Sequence, residues 1–244
     1  MTRLFPILAT LLTTTTLHAE DPAAGKQVEA SFETSSGAKA PYLLFLPEGY
    51  SLDAAQQWPV MLFLHGRGES RGPLSIVAKW GPPRMAARGD ELEYIIVSPQ
   101  CPAASRWADA DQQKAAMELL EHIVTSYSGD RSRIYLTGLS MGGQGTWALA
   151  ASHPETFAAA APICGRCDPA DGEKLNKLPV WVFHGTEDKA VPYEQSVAMV
   201  KAIEDAGGKK IRFTTLKHVG HNSWSPAYAL PELWAWFDGH RRRD

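Results

Sequence analysis

Ile134-Tyr135-Leu136-Thr137-Gly138-Leu139-Ser140-Met141-Gly142-Gly143 reads as a short apolar strand, a Gly-x-Ser-x-Gly turn and the opening of a helix. The context matters more than the pentapeptide, which recurs by chance. A serine hydroxyl is a weak nucleophile unless its geometry is forced. At a strand-to-helix elbow Ser140 sits at the apex of a strained turn, its oxygen exposed and a helix N-terminus behind it. Glycines on either side leave room for neighbouring backbone. A working elbow also needs strands and helices alternating around it, with an acid, a base and oxyanion donors on the loops.

The alternation is present. Gln27 to Phe32 alternates apolar and polar residues, Ser35-Ser36-Gly37 is a turn signal, and Pro41 to Leu46 is a second strand, so the folded part opens with a hairpin. Val60 to Leu64, Tyr94 to Val97, Ile134 to Leu136, Phe157 to Pro162 and Val180 to Phe183 are continuously apolar runs, as in strands buried on both faces of a parallel sheet. Helical stretches lie between them. Asp111 to Tyr127 puts Ala115, Leu119, Ile123 and Tyr127 on one face, and Ser140 to Ser152 and Tyr193 to Ala206 are also helix-like. Ser225-Pro226 and Pro231 mark helix starts. The pattern predicts an α/β fold: a mostly parallel, doubly wound sheet with an N-terminal antiparallel hairpin. Ligands bind such sheets at the carboxyl ends of the strands.

Three strand ends carry the chemistry. After Val60 to Leu64 comes His65-Gly66-Arg67-Gly68-Glu69, a glycine-rich turn able to aim backbone N–H groups at a ligand. The backbone amides of Arg67 and Met141 are the expected oxyanion donors, the alternative being a simple tight turn. After Val180 to Phe183, Asp188 in His184-Gly185-Thr186-Glu187-Asp188 is placed to hold an imidazole in one tautomer. Asp168 competes for that role, and Glu187 points elsewhere. After the strand-like run Ile211 to Leu216, His221 in His218-Val219-Gly220-His221-Asn222-Ser223-Trp224 lies on a loop that can lean over Ser140, whereas His218, in or near the strand, reads as structural. The order serine, aspartate, histidine is that of an α/β-hydrolase.

Pro41-Tyr42-Leu43-Leu44-Phe45-Leu46-Pro47, Leu64-His65-Gly66-Arg67-Gly68-Glu69, Val97-Ser98-Pro99-Gln100-Cys101-Pro102, Gly138-Leu139-Ser140-Met141-Gly142-Gly143 and Gly220-His221-Asn222-Ser223-Trp224 together resemble bacterial secreted α/β-hydrolase esterases. That group is described variously as phospholipase/carboxylesterase-like, feruloyl-esterase-like or "predicted peptidase". The resemblance spans nearly all of the chain after its first residues. It implies a triad of Ser140, Asp188 and His221 with oxyanion amides at Arg67 and Met141. Relatives often carry a small residue where this chain has Arg67; the backbone donor survives that change, but the pocket lining differs.

The rest of the sequence bounds the reading. At 244 residues, 44% apolar and 21% charged, the chain is an ordinary globular protein, expected as one catalytic domain over residues 20–244. A net charge of −3 gives no reason to expect nucleic acid or an anionic membrane surface as partner. Met1-Thr2-Arg3, the diluted apolar stretch from Leu4 to Leu17 and a small residue at Ala19 read as a signal peptide, residues 1–19, so a secreted or periplasmic protein without stable membrane insertion is expected. Arg241-Arg242-Arg243 reads as a solvated tail. Cys101, Cys164 and Cys167 permit one disulfide; Cys164-x-x-Cys167 lacks a second ligand pair for a metal, and a structural role is expected.

The expected chemistry is ester hydrolysis through an acyl-enzyme at Ser140, with no metal and no organic cofactor. Cys164 to Leu178 is too short for a cap domain, so the site is open to bulky or polymer-linked esters. Trp107 and Trp224 are candidates to stack on a sugar or aromatic ring, core packing being the alternative for Trp107. Arg67 and Arg166 follow strands that end at the site and would favour an acidic substrate. Feruloyl or acetyl esters of plant polysaccharides fit these features. A serine peptidase would use the same triad, although the chain leaves no room for the propeller of prolyl-oligopeptidase-like enzymes. A non-catalytic carbohydrate-binding protein is the alternative of another class.

Overall fold

The computed structural model describes residues 23–51 and 55–242; the expected signal peptide lies outside them. In chain order the strands are β1 (Gln27–Glu33), β2 (Lys39–Phe45), β3 (Trp58–Leu64), β4 (Ile95–Pro99), β5 (Gly129–Leu139), β6 (Ala159–Ile163), β7 (Val180–Gly185) and β8 (Ile211–Leu216). The helices are α1 (Gly81–Arg88), α2 (Ala110–Ser126), α3 (Met141–Ser152), α4 (Tyr193–Asp205), α5 (Trp224–Tyr228) and α6 (Pro231–Asp238). One sheet holds all eight strands in the order β1-β2-β4-β3-β5-β6-β7-β8. The β1–β2 hairpin is antiparallel, and β2 runs antiparallel to β4 as well. Every other pairing is parallel, from β4–β3 to β7–β8.

Continuous apolar runs become central strands because both faces are covered. All seven residues of β3 are buried. Trp58, Val60, Leu62 and Leu64 face one side, with Leu119 and Ile123 of α2, Leu149 of α3 and Met199 of α4. Met61 and Phe63 face the other, with Ala86 of α1, Tyr228 of α5 and Leu233 of α6. This two-residue alternation between two helix layers is the doubly wound arrangement. Pro59 has no N–H for the ladder, and the β3–β5 register slips between Trp58 and Val60, where that loss is absorbed.

Several details differ from the sequence reading. The buried stripe of α2 is Ala116, Leu119, Leu120, Ile123 and Val124, so Ala115 and Tyr127 lie at its margins. Helix α1 carries no long apolar periodicity; two prolines at its start and Gly89 in the left-handed region at its end define it. Strand β5 begins at Gly129, ahead of its apolar run, with Asp130 accepting from Ser132 and Arg133. Of the C-terminal arginines the two described are tied to the domain: the Arg242 amide donates to the Ser132 carbonyl, and Arg241, though exposed, lies 3.4 Å from Asp130; Arg243 lies outside the described residues. No helix of the described residues is long and apolar enough to cross a membrane.

From β3 the chain steps outward to β4 and then returns to add β5 on the other side. That reversal opens a crevice at the carboxyl ends of β3 and β5.

Candidate active site

Ser140 follows the last residue of β5 and precedes the first of α3. Its backbone sits at φ 54°, ψ −112°, a strained conformation for a residue with a side chain, costing about 1–3 kcal/mol. The surroundings hold it there. The Ser140 amide donates to the Ile163 carbonyl at 2.9 Å, and α3 lies against β3 so closely that only glycine fits. A Cβ on Gly142 would stand 1.8 Å from the Leu64 carbonyl oxygen, and one on Gly138 2.5 Å from that of Gly142. The Gly-x-Ser-x-Gly spacing is therefore a packing requirement that leaves the serine at the crest.

His221 and Asp188 complete a continuous chain of hydrogen bonds. Asp188 Oδ2 accepts from His221 Nδ1 at 2.7 Å, and the Ser140 hydroxyl donates to His221 Nε2 at 2.8 Å. An ionised carboxylate only accepts, so Nδ1 carries the ring proton and Nε2 is left as the acceptor facing Ser140. The Asp188 side chain is fully buried, whereas that of His221 is 28% exposed. Burial alone would raise the Asp188 carboxyl. Bonds from His221 and from the Val191 and Ala190 amides outweigh it and hold the group below its ordinary value of 3.8. The two amide bonds reach the other carboxylate oxygen at 2.9 and 2.8 Å.

The loops bearing these residues are tied to one another. The Gly185 amide donates to Ser223 Oγ at 2.9 Å, and the Glu187 amide donates to the Val219 carbonyl at 2.9 Å. Cys164, at the end of β6, directs its thiol to the His221 carbonyl at 3.3 Å. Cys164, Asp188 and His221 are the one group of metal-ligating types gathered among the described residues, with ligand atoms within 4.8 Å. The Cys164 thiol and His221 Nδ1–H are committed as donors and Asp188 as an acceptor, however, and burial pushes the Cys164 thiol up to about 12, so the group is built to hold a loop rather than an ion. All three cysteines are free.

Two buried histidines support the site. His184, at the end of β7, donates from Nε2 to the Val191 carbonyl at 3.0 Å and lies 3.2 Å from Asp188 Oδ2. With the proton on Nε2, its Nδ1 accepts from the Ser196 hydroxyl at 2.7 Å. Asp188 is thus braced from beneath by a histidine whose tautomer the Val191 carbonyl sets, with the Ser196 hydroxyl satisfying the other ring nitrogen. The signal was legible, since a histidine four residues before the aspartate lies at a strand end, but its Ser196 partner sits on α4 and nothing local predicts it. His65, at the end of β3, accepts from the Cys101 amide at 2.9 Å through Nε2. Burial lowers its pKa to about 4, with the bond to the Gly66 carbonyl opposing that shift.

The other candidates fall out as follows. Arg67 opens a 3₁₀ turn, Arg67–Ser70, and Met141 opens α3, so neither amide has a helical carbonyl to bond. The Arg67 guanidinium reaches the Ser105 and Ala103 carbonyls at 2.6 and 3.2 Å and borders the site. A cleft of about 160 Å³ lies over Ser140 and His221, lined also by Arg67, Arg106, Met141 and Arg166. None of those three arginines forms an ion pair with a carboxylate among the described residues. Arg106 escaped notice in the sequence because it follows no strand directly.

Trp107 is a correction. It is 2% exposed, its indole donates to the His65 carbonyl at 3.0 Å, and its ring meets the His65 imidazole edge to face. It buttresses the turn after β3 and has no surface to offer a substrate. Trp224 is half-buried, with its ring 5.4 Å from that of His221. Asp168 caps the 3₁₀ segment Pro169–Leu175 by accepting from the Ala170 amide, and the His221 ring meets Asp188 instead. Glu187 turns away to His218, which is exposed in the turn after β8 rather than in the strand.

Strand order, elbow and loop sequence are together those of the α/β-hydrolase fold. Within that class the chain belongs to the dienelactone hydrolase family, whose pattern it matches over residues 100–224. It is 26% identical over 214 residues to a probable feruloyl esterase C of Aspergillus terreus, covering 83% of this chain and 77% of that protein. It is 24% identical over 150 residues to a bifunctional acetylxylan esterase/xylanase of Neocallimastix patriciarum, covering 60% of this chain. A crystal structure of a thermostable esterase superposes with a TM-score of 0.76 at 32% identity over 89% of this chain. The chain spans 22% of the length of the bifunctional relative and 64% of that of the thermostable esterase.

Proposed function

We propose that the protein is a serine hydrolase of carboxylic esters that works through an acyl-enzyme, with Ser140 as nucleophile, His221 as general base and acid, and Asp188 as its orienting carboxylate. The observation that carries this reading is the unbroken path from Ser140 Oγ to His221 to Asp188 at 2.8 and 2.7 Å. Ser140 Oγ attacks the ester carbonyl while His221 Nε2 takes its proton. The developing oxyanion accepts from the Arg67 and Met141 amides, each contributing about 3 kcal/mol in comparable sites. His221 then protonates the leaving alcohol, the C–O bond breaks, and Ser140 keeps the acyl group. Water repeats the sequence, giving its proton to His221 and releasing the acid. Asp188 stabilises the imidazolium in both halves and stays ionised throughout.

The surroundings and the kinship with feruloyl and acetylxylan esterases support one substrate class: a feruloyl or acetyl ester on a plant polysaccharide, approached across Trp224. The protein is exported, on the reading of residues 1–19 as a cleaved signal, and N-terminal sequencing of the mature protein should begin at Glu20. The test of the reaction is a matched pair of substrates, one acyl group on an alcohol and on an amine. Ester turnover well above amide turnover, and lost in Ser140→Ala, is expected. Equal or faster amide cleavage would make the protein a peptidase. Turnover of short nitrophenyl esters with none on xylan-linked esters would remove the polysaccharide from the account.

A further inference from the structure

The cleft over Ser140 is small, about 160 Å³, enough for an acyl group and little more. Trp224 links it to a second hollow. Its ring meets the His221 imidazole edge to face at 5.4 Å, and it also lines a groove of about 560 Å³ between α1 and the α5–α6 segment. That size lies within the range of roughly 300–1,000 Å³ that engulfs a small ligand.

Two properties of the groove identify its occupant. Trp80, Trp224 and Trp234 are all half-buried along it, with Trp80 and Trp224 edge to face at 5.9 Å, so ring surface is left uncovered. The groove is also cationic. Arg84 is exposed, stands 5.3 Å from the Trp80 ring and donates only to the Lys79 carbonyl, with no carboxylate partner among the described residues. Lys79 is 5.6 Å from the same ring. The one acid in the lining, Asp90, is already paired with Arg88. Aromatic faces suit the C–H faces of pyranose rings, whose hydroxyl edges remain free for polar neighbours. An unpaired guanidinium suits a carboxylate, which it grips with two parallel hydrogen bonds. A lipid chain would desolvate Arg84 without compensation, and a neutral sugar would leave its charge unused.

We propose that this groove binds the sugar portion of the substrate and that the sugar carries a carboxylate: a polysaccharide bearing uronic acid. The acyl group then enters the cleft at Ser140, and the chain that carries it runs past Trp224 onto Trp80, with a uronate at Arg84. The inference deepens the ester-hydrolase reading and rests on it, although binding itself needs no turnover.

The experiment uses the full-length Ser140→Ala protein, titrated by calorimetry and indole fluorescence with two ester-free oligosaccharides of equal length. One carries a uronic acid substituent and the other is neutral. The acidic sugar should bind about tenfold more tightly at low salt, the worth of one charge-assisted contact. Arg84→Gln, on an exposed side chain, should bring it to the level of the neutral sugar. Trp80→Ala should weaken both. Absence of binding by either sugar, or equal binding that Arg84→Gln leaves unchanged, would overturn the inference. Labelling of wild-type Ser140 by a fluorophosphonate separates the two failures. Labelling without sugar binding removes the groove alone, and sugar binding without labelling removes the hydrolase while keeping the groove.

Discussion

Replacing Asp188 by asparagine tests how the histidine is held. In the native site one carboxylate oxygen accepts from the Ala190 and Val191 amides at 2.8 and 2.9 Å, and the other accepts from His221 Nδ1 at 2.7 Å. An asparagine keeps the two backbone bonds only by turning its carbonyl toward them. Its NH₂ then faces His221 Nδ1, which must become an acceptor. The ring proton moves to Nε2, opposite Ser140, where a base is needed. Volume and backbone contacts are almost unchanged, so the fold should persist while the tautomer is wrong. A reversal of this kind costs about 10⁴-fold in kcat, or roughly 5.5 kcal/mol of barrier. The assay is steady-state hydrolysis of a short-chain nitrophenyl ester at neutral pH, with circular dichroism and a melting curve on the same preparation. Asp168→Asn is the matched control, because Asp168 only caps the segment Pro169–Leu175, and it should stay within about twofold of wild type. A well-folded Asp188→Asn enzyme within about tenfold of wild type would refute the reasoning.

Ser196→Ala removes the hydroxyl that donates to His184 Nδ1 and leaves that buried nitrogen without a partner. It should cost about 1 kcal/mol, a fall in Tm of about 2–4 °C, and lower kcat more than it changes KM. Gly142→Ala should not accumulate as folded protein, since its new carbon would stand 1.8 Å from the Leu64 carbonyl oxygen. Gly239→Ala, at an ordinary 3.5 Å from its neighbours, should keep the wild-type midpoint in a thermal melt. His65 links stability to pH. The unfolded chain takes up a proton near 6.5 and the folded imidazole only near 4, so its contribution is whole above pH 6.5 and is lost as pH falls toward 4. The loss is about 3 kcal/mol, roughly 6–12 °C in Tm, and His65→Gln should flatten that part of the curve. Arg166→Gln should raise KM for an ester with an acidic acyl group more than for its neutral analogue; equal changes would mean that the arginine only faces solvent.

The parts of this molecule that could be read from the chain are those where one local requirement dominates. Buried strands show themselves because β3 and β7 have no polar face to present. The elbow shows itself because Gly138 and Gly142 are demanded by backbone approach. Asp188 and His221 are legible because they follow strands in a fixed order. What stayed hidden depends on partners distant in sequence. Trp107 looked available because its loop is polar, yet the His65 carbonyl and ring draw it inward. His184 sits in plain view beside Gly185, but its role rests on the Val191 carbonyl and on Ser196, both beyond the strand. The basic rim around Ser140 draws Arg67, Arg106 and Arg166 from three separate loops, and the groove at Trp80 needs α1, an eight-residue helix whose buried face is made of small residues and prolines.

Activation of Ser140 by His221 is read out by treating the folded protein with a fluorophosphonate and locating the adduct by peptide mass spectrometry. A single adduct on Ser140 is expected, absent in Ser140→Ala and strongly slowed in His221→Ala. Folded wild-type protein that takes no label, or that is labelled equally in Ser140→Ala, would contradict it.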